Sequence, residues 1–156
     1  MENIRIVDIS TASAPSFTKH LADCVILTHD DKILLQKRPA HWGESANAVT
    51  LFGGHVEPGE TTMQGVIREI GEETGAMMPE KDVIFIAALS EAWTNHKELV
   101  HVHFWHDRHH RITGCYEGEA VFFDSVKEAV ETAGIMDYAR WALTECQRKG
   151  LLPLSS

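Results

Sequence analysis

The stretch that decides the fold runs from Gly54 to Ala76 and reads GHVEPGETTMQGVIREIGEETGA. It begins with a turn, because Pro58 and Gly59 form a pair that interrupts regular structure. A helix follows, since Thr61 and the glutamine three residues later have the spacing of a capping box. Gly75 is placed to end that helix. The sequence therefore predicts a turn that leads into a single short helix.

Two faces of this helix carry different chemistry. One is apolar at helical spacing and consists of Met63, Val66, Ile67 and Ile70. Glu69, Glu72 and Glu73 are related as i, i+3 and i+4, so their carboxylates project from another side. Like charges at this spacing repel by roughly a few tenths of a kcal/mol per pair. A cluster of hard oxygen ligands suits Mg²⁺ or Mn²⁺, whereas the run taken alone also fits a solvated helix face.

The residues around the glutamates extend the pattern. The Nudix box is matched by Gly54, by Glu60, which seven residues separate from Arg68, and by the run REIGEETGA over residues 68–76. That box is Gly, five residues, Glu, seven residues, Arg-Glu, an aliphatic residue, any residue, Glu-Glu, any residue, Gly and an aliphatic residue. Ala76, at the last position, is a mild departure. The chain resembles a MutT-like Nudix hydrolase, which implies an α+β Nudix fold, an α/β/α sandwich with a mixed sheet.

Predicted strands and helices alternate outside the box. Residues 4–10 (IRIVDIS) predict a strand, and two apolar runs on either side of residues 29–31 predict a hairpin. Further strands are predicted at 49–52, 82–89, 98–106 and 119–123, and further helices at 125–132 and 137–149. Strands interleaved with three helices indicate a mixed sheet covered by helices.

Composition limits the class of protein. With 156 residues, 44% hydrophobic and 24% charged, we expect one globular domain over residues 1–156. A net charge of −9 argues against a nucleic acid polymer as partner and leaves a small-molecule nucleotide. With no long apolar run and no signal-peptide pattern, we expect a cytoplasmic protein without membrane contact. Cys24, Cys115 and Cys146 are odd in number and widely spaced, which favours reduced thiols. Monomer and homodimer both remain open.

The resemblance implies a set of metal ligands. Glu69, Glu72 and Glu73 would hold Mg²⁺ or Mn²⁺ together with the backbone carbonyl of Gly53. One more carboxylate would come from a loop, and Glu117 is the first candidate because it precedes a glycine as in MutT-like enzymes.

The resemblance also implies catalytic roles. Glu69 is the first candidate for the general base and Glu117 the second. Glu119 is the alternative to Glu117 for the loop carboxylate. Glu60 and Arg68 would orient the box carboxylates through a salt bridge.

Two residues are candidates for substrate contact. The resemblance places Arg38 near the substrate phosphates, for which a guanidinium group is suited, and a solvated charge at a strand end is the alternative. Asp137 opens the last helix, where related enzymes read the base edge with a polar side chain. A plain helix N-cap is the alternative for Asp137.

The histidines of LVHVHFWHD have a competing interpretation. His101 and His103 share one strand face, and such a pair binds zinc when a third ligand is present. No third ligand stands at a familiar spacing, so we expect a polar pocket wall or a solvated face. Trp105 falls on the same side, and a core position is favoured over base stacking.

The reaction implied is Mg²⁺-dependent hydrolysis of a nucleoside diphosphate linked to another moiety. Family members that prefer ADP-ribose often have a proline about fifteen residues past the box, where this chain has Glu91. Those that prefer dinucleoside polyphosphates often have a tyrosine slightly farther on, where this chain has Trp93. These absences favour a (d)NTP, oxidised purine nucleotides included, over ADP-ribose and nucleotide-sugars. A nucleotide-sensing domain without catalysis is the alternative, but the chain keeps every box carboxylate.

Overall fold

The computed structural model describes residues 3–43 and 46–153. Short 3-10 turns lie at Ile9–Thr11, Glu80–Asp82 and Ala92–Thr94. The strands are β1 (Ile4–Val7), β2 (Lys19–Leu27), β3 (Ile33–Lys37), β4 (Val49–Thr50), β5 (Phe52–His55), β6 (Ile84–Glu91), β7 (Glu98–His106) and β8 (Glu119–Phe123). The helices are α1 (Thr62–Thr74), α2 (Val126–Val130) and α3 (Asp137–Arg148).

The described strands form one mixed sheet. Its main path runs β1-β6-β7-β2-β3-β4, with β5 paired to β2 and β8 paired to β3. The pairing of β2 with β7 is parallel and continuous from Lys19 opposite Glu98 to Leu27 opposite His106, while the other strand pairs are antiparallel. The predicted hairpin is confirmed, since β2 and β3 pair across the turn.

Helices cover both faces of this sheet. Alternation along β2 sends Cys24 into the core beneath α1 and Val25 into the core beneath α2 and α3. Val66 and Ile70 of α1 are fully buried, so the predicted apolar face packs on the sheet. The α/β/α arrangement expected from the sequence is therefore confirmed. Three cysteines in the described residues are free: Cys24, Cys115 and Cys146.

The ends of α1 follow from local sequence. The Thr61 side chain accepts the N–H of Gln64, and the Gln64 side chain accepts the N–H of Thr61, so the capping box is complete. Gly75 ends the helix in the left-handed region with φ 79°. Both predicted helix ends are confirmed.

Several strand boundaries differ from the prediction, and the single strand predicted at 49–52 is divided into β4 and β5. The first strand ends at Val7 because the Asp8 carboxylate accepts the N–H of Ser10 and starts a 3-10 turn. The strand predicted at 82–89 begins at Ile84 and extends to Glu91. A 3-10 turn after Pro79 occupies the residues before it.

The histidines of β7 face the interior beneath α1. His101 and His103 are each 1% exposed, so a solvated face is wrong for both. The Nε2 atom of His101 lies 3.1 Å from the Nδ1 atom of His20, and burial lowers the pKa of His101 to about 4. Trp105 is buried in the core.

The glycine that ends α1 generates a stability prediction. A Cβ atom at Gly75 would lie 2.0 Å from the Oγ1 atom of Thr113. Gly150 has the same φ of 79°, but a Cβ atom there meets nothing within 4 Å. We expect Gly150→Ala to lower the free energy of unfolding by about 1 kcal/mol, the cost of the left-handed backbone. Gly75→Ala should cost at least about 1 kcal/mol more because of the clash.

Urea denaturation of the two variants measures both costs. Equal losses in the two variants would show that the contact with Thr113 relaxes freely and does not constrain the end of α1.

Candidate active site

The carboxylates of α1 pack against the backbone of β5. The Oε1 atom of Glu73 accepts the N–H of Gly53 at 2.8 Å. A Cβ atom at Gly54 would lie 2.7 Å from the carboxyl carbon of Glu69, so a side chain at that position would displace the carboxylate. Gly54 thus allows the Glu69 carboxylate to approach the strand closely, whereas a Cβ atom at Gly53 would meet Ala22 and Asp23 of β2.

Arg68 organises the other side of the glutamate group. Its guanidinium donates to Glu60 at 2.8 and 3.0 Å and to Glu69 at 2.9 Å. It also donates to the backbone carbonyl of His55 at 3.0 Å and to Glu72 at 3.3 Å. The fork of Arg68 therefore ties the turn before α1 to the carboxylates of the helix.

The acidic residues influence one another strongly. Burial raises the pKa of Glu73 to about 9, and the charges of Glu117 and Glu69 contribute to that shift. Burial raises the pKa of Glu69 as well, although Arg68 opposes it. In contrast, the hydrogen bond from Arg68 lowers the pKa of Glu60 to about 2. Negative charge around Glu73 is therefore only partly compensated by the protein.

The donor set fits a hard divalent cation, but the ligands are not gathered. Within residues 3–43 and 46–153, no three His, Cys, Asp or Glu side chains are grouped so that they could hold one ion. Glu69 and Glu72 both hydrogen-bond to Arg68 instead. The donors are oxygen atoms alone, and their mutual repulsion is what a bound cation would relieve.

A cavity of about 230 Å³ borders this group of acids. Its lining includes Gly53, Gly54 and Glu117 on the side of the carboxylates, and Arg38 and Trp42 on another side. A larger cavity of about 700 Å³ lies beneath α1 and is lined by His20, His55 and His101 among others. The smaller cavity is lined by Glu117 and by Gly53 and Gly54, which contact Glu73 and Glu69, so it is the candidate substrate site.

Arg38 carries an orphaned donor beside the smaller cavity. Its Nε atom is buried and has no hydrogen-bond partner among the described residues. The guanidinium carbon lies 5.6 Å from the centre of the Trp42 ring, a cation–π distance. The arginine is thus held beside the cavity with a donor available, which is different from a solvated charge at a strand end.

Sequence reasoning missed a buried pair at the back of the cavity. Asp23 accepts a hydrogen bond of 2.6 Å from the Tyr138 hydroxyl, which also bonds Thr50. Burial raises the pKa of Asp23 to about 7, and the hydrogen bond from Tyr138 opposes the shift. An acidic residue inside the apolar run ADCVIL, at 22–27, is the signal that would have found it.

The structure distinguishes between the candidate residues of the loop, Glu117 and Glu119, and the candidate at the start of α3, Asp137. Glu117 lines the small cavity and its charge raises the pKa of Glu73, whereas Glu119 does not line the cavity and pairs with Lys37 in the sheet. Asp137 is not among the cavity residues, and its carboxylate pairs with Arg140 at 3.2 Å. The N-cap alternative for Asp137 is wrong, because Met136 occupies the cap position and Asp137 is the first helical residue.

Comparisons with known proteins found similar sequences. A family model described as NUDIX domain matches residues 18–143. The CTP pyrophosphohydrolase of Escherichia coli (strain K12) is 31% identical, over 68% of this chain and 76% of that protein.

Solved structures share the fold. The MutT protein of Methanosarcina mazei Go1 superposes with a TM-score of 0.66 at 23% identity, over 85% of this chain and 94% of that chain. The ORF135 protein of E. coli superposes with a TM-score of 0.62 at 26% identity, over 83% and 89%. Among the described residues, no helix has the length and apolar character needed to cross a membrane.

The shifted acid of α1 generates a prediction for the metal-free protein. Folded Glu73, with a pKa of about 9, keeps a proton that an unfolded glutamate releases near its ordinary value of 4.5. The free energy of unfolding should therefore decrease as the pH rises from about 5 to about 9. Glu73→Gln keeps the size and an oxygen for Gly53, so its loss over that range should be smaller.

Urea denaturation in EDTA at several pH values measures the difference. Glu131→Gln, at the exposed end of α2, serves as the matched control. Parallel pH curves for wild type and Glu73→Gln would contradict the assignment of the shift to Glu73.

Proposed function

The chain belongs to the NUDIX domain family, and from this membership we propose that it is a Mg²⁺-dependent pyrophosphohydrolase that converts a nucleoside triphosphate to the monophosphate and pyrophosphate. As a Nudix hydrolase, it cleaves phosphoric anhydrides in substrates linked to a nucleoside diphosphate. The observation that carries the finer proposal is the set of mutually repelling carboxylates beside the 230 Å³ cavity. Members of this family generally use divalent cations.

The proposed ligands are Glu69, Glu72, Glu73 and Glu117, with the carbonyl of Gly53. When bound, a divalent cation would neutralise charge on the phosphates and acidify the attacking water. Arg68 would release Glu72 easily, because that side chain is 59% exposed and its contact with Arg68 is 3.3 Å. Glu73 is already held in place by the N–H of Gly53.

Glu69 is the proposed general base. It is half-buried, lies against Gly54 and has a pKa raised by burial, so it accepts a proton more readily than a solvated glutamate. Glu60 and Arg68 act as positioning residues, because their hydrogen bonds fix the turn and orient Glu69. Glu117 is the second candidate for the base, since it borders the same cavity.

The small cavity supports a nucleoside as the bound group. Leu21, Leu51 and Val100 supply apolar surface, and Arg38 supplies a donor for phosphate or sugar oxygens. A nucleoside triphosphate is favoured over other diphosphate-linked compounds because the E. coli relative is named as a CTP pyrophosphohydrolase. The retained box glutamates favour catalysis over nucleotide sensing.

The proposal predicts a metal-dependent reaction with defined products. Purified protein should be inactive in EDTA and recover with Mg²⁺ or Mn²⁺, because the clustered carboxylates need a cation to accept a polyphosphate. A panel of nucleoside triphosphates, with oxidised purine nucleotides and ADP-ribose, is followed by chromatography. Monophosphate and pyrophosphate should appear together, and orthophosphate as the first product would point to a different phosphatase chemistry.

A second prediction concerns the base. Glu69→Gln keeps the size of the side chain but cannot accept a proton, so kcat should fall by at least about two orders of magnitude. Glu131→Gln, remote from the cavity, should retain wild-type kcat. Circular dichroism checks that both variants fold. Near-normal turnover of Glu69→Gln would transfer the role of base to Glu117.

A further inference from the structure

The small cavity holds a second buried acid away from the proposed metal ligands. Leu21 of β2 and Val100 of β7 are paired neighbours and form an apolar floor. Asp23 follows Leu21 on the same face of β2 and lies against Gly53. Glu91 ends β6, on the other side of β7, and also lines the cavity. The floor therefore lies between the glycines of the active site and Glu91.

The Glu91 carboxylate has more hydrogen-bond acceptor positions than the donors around it fill. Its side chain belongs to a residue only 6% exposed, and burial raises its pKa. The charges of Asp137 and Glu98 raise the pKa further, while a hydrogen bond from the Trp93 side chain lowers it. One indole N–H does not satisfy a carboxylate, which has about four acceptor positions. The remaining acceptor positions of Glu91 face the cavity that it lines, so a ligand that brings N–H groups there gains hydrogen bonds to a charged group.

We infer that Glu91 selects nucleotides whose base carries an exocyclic amino group, by accepting a hydrogen bond from that group in the small cavity. This inference rests on the proposed function, since it assigns the cavity to the base of the nucleotide. Glu91 would be a specificity-determining residue, with no part in the cleavage of the phosphoric anhydride.

Base chemistry defines the class of substrate. Cytosine, adenine and guanine each carry an amino group that donates hydrogen bonds, whereas uracil and hypoxanthine carry oxygen or hydrogen at that position. An ionised carboxylate accepts hydrogen bonds and cannot donate one. A carbonyl oxygen placed against Glu91 would leave two acceptors facing each other in a buried site, which is unfavourable.

The geometry favours Glu91 over Asp137 for this role. Asp137 is 42% exposed, pairs with Arg140 and does not line the cavity. Glu91 lines the cavity and is buried within it. The effect of Asp137 on Glu91 is electrostatic, because its charge raises the pKa of Glu91.

Trp93 makes Glu91→Gln an informative substitution. The indole N–H donates only, so it should bind the oxygen of the new amide. The amide NH₂ is then directed to the cavity and faces the base as a donor. This NH₂ group repels an amino group and donates a hydrogen bond to a carbonyl oxygen. The preference for bases with an amino group over bases without one should therefore shrink or invert.

The experiment compares kcat/KM for two matched pairs, CTP with UTP and GTP with ITP. Each pair replaces an amino group by an oxygen or a hydrogen and leaves the triphosphate unchanged. Wild-type protein should favour the amino member of each pair by about tenfold or more, the range for a hydrogen bond to a charged group. In Glu91→Gln, both ratios should fall at least about tenfold, while the better substrate of each pair is still cleaved to monophosphate and pyrophosphate.

Two variants serve as controls. Glu98→Gln removes a neighbouring acid that does not line the cavity, and Asp137→Asn removes the charge at the start of α3. Both should keep the wild-type ratios.

Equal wild-type rates within the pairs, or ratios unchanged in Glu91→Gln, would overturn the inference and leave the proposed function intact. A loss of ratio in Asp137→Asn alone would likewise overturn it. Absence of any triphosphate cleavage by wild-type protein would instead defeat the proposed function.

Discussion

The contact between α1 and the glycines of β5 is the constraint on which the rest of the site depends. Glu73 accepts the N–H of Gly53, and the carboxylate of Glu69 occupies the space that a side chain at Gly54 would fill. The Glu69 carboxylate can lie this close to the strand only because Gly54 lacks a Cβ atom. This contact and the hydrogen bond of Glu73 to Gly53 place two of the α1 glutamates against the strand.

Burial of like charges has an electrostatic cost that the protein meets in two ways. Arg68 compensates the outer acids, Glu60 and Glu69, with short hydrogen bonds. Glu73 accepts the N–H of Gly53, and burial, together with the charges of Glu117 and Glu69, raises its pKa. A site with this imbalance is less stable when empty and ionised, but it is suited to a divalent cation and a polyphosphate. The same arrangement explains why stability and metal binding should be linked to pH.

The two faces of the sheet have different roles. Beneath α1, His103 and Trp105 are buried, and His101 is paired with His20 through Nε2 while its buried Nδ1 atom has no partner among the described residues. On the opposite face, the small cavity keeps acceptors and a donor that internal partners do not satisfy. Unsatisfied buried polar groups are rare in folded proteins, and two of the three such atoms in the described residues, Asp23 Oδ1 and Arg38 Nε, belong to residues that line the small cavity.

The sequence by itself determined the local features of this protein. The capping box at Thr61, the glycine end of α1 and the glutamates at i, i+3 and i+4 depend on neighbours within a few residues, so they are visible in the primary structure. Their spacing was sufficient to indicate the family and the α/β/α architecture.

Only the tertiary structure decided which residues line the candidate substrate cavity. Asp23 and Tyr138 are 115 residues apart in the chain, and Glu91 reaches the cavity through the pairing of β6, β7 and β2. The exclusion of Asp137 from that cavity likewise depends on its pairing with Arg140 in the folded helix. Burial, and the pKa shifts that it causes, arise from contacts between distant segments, and no local pattern of residues encodes them.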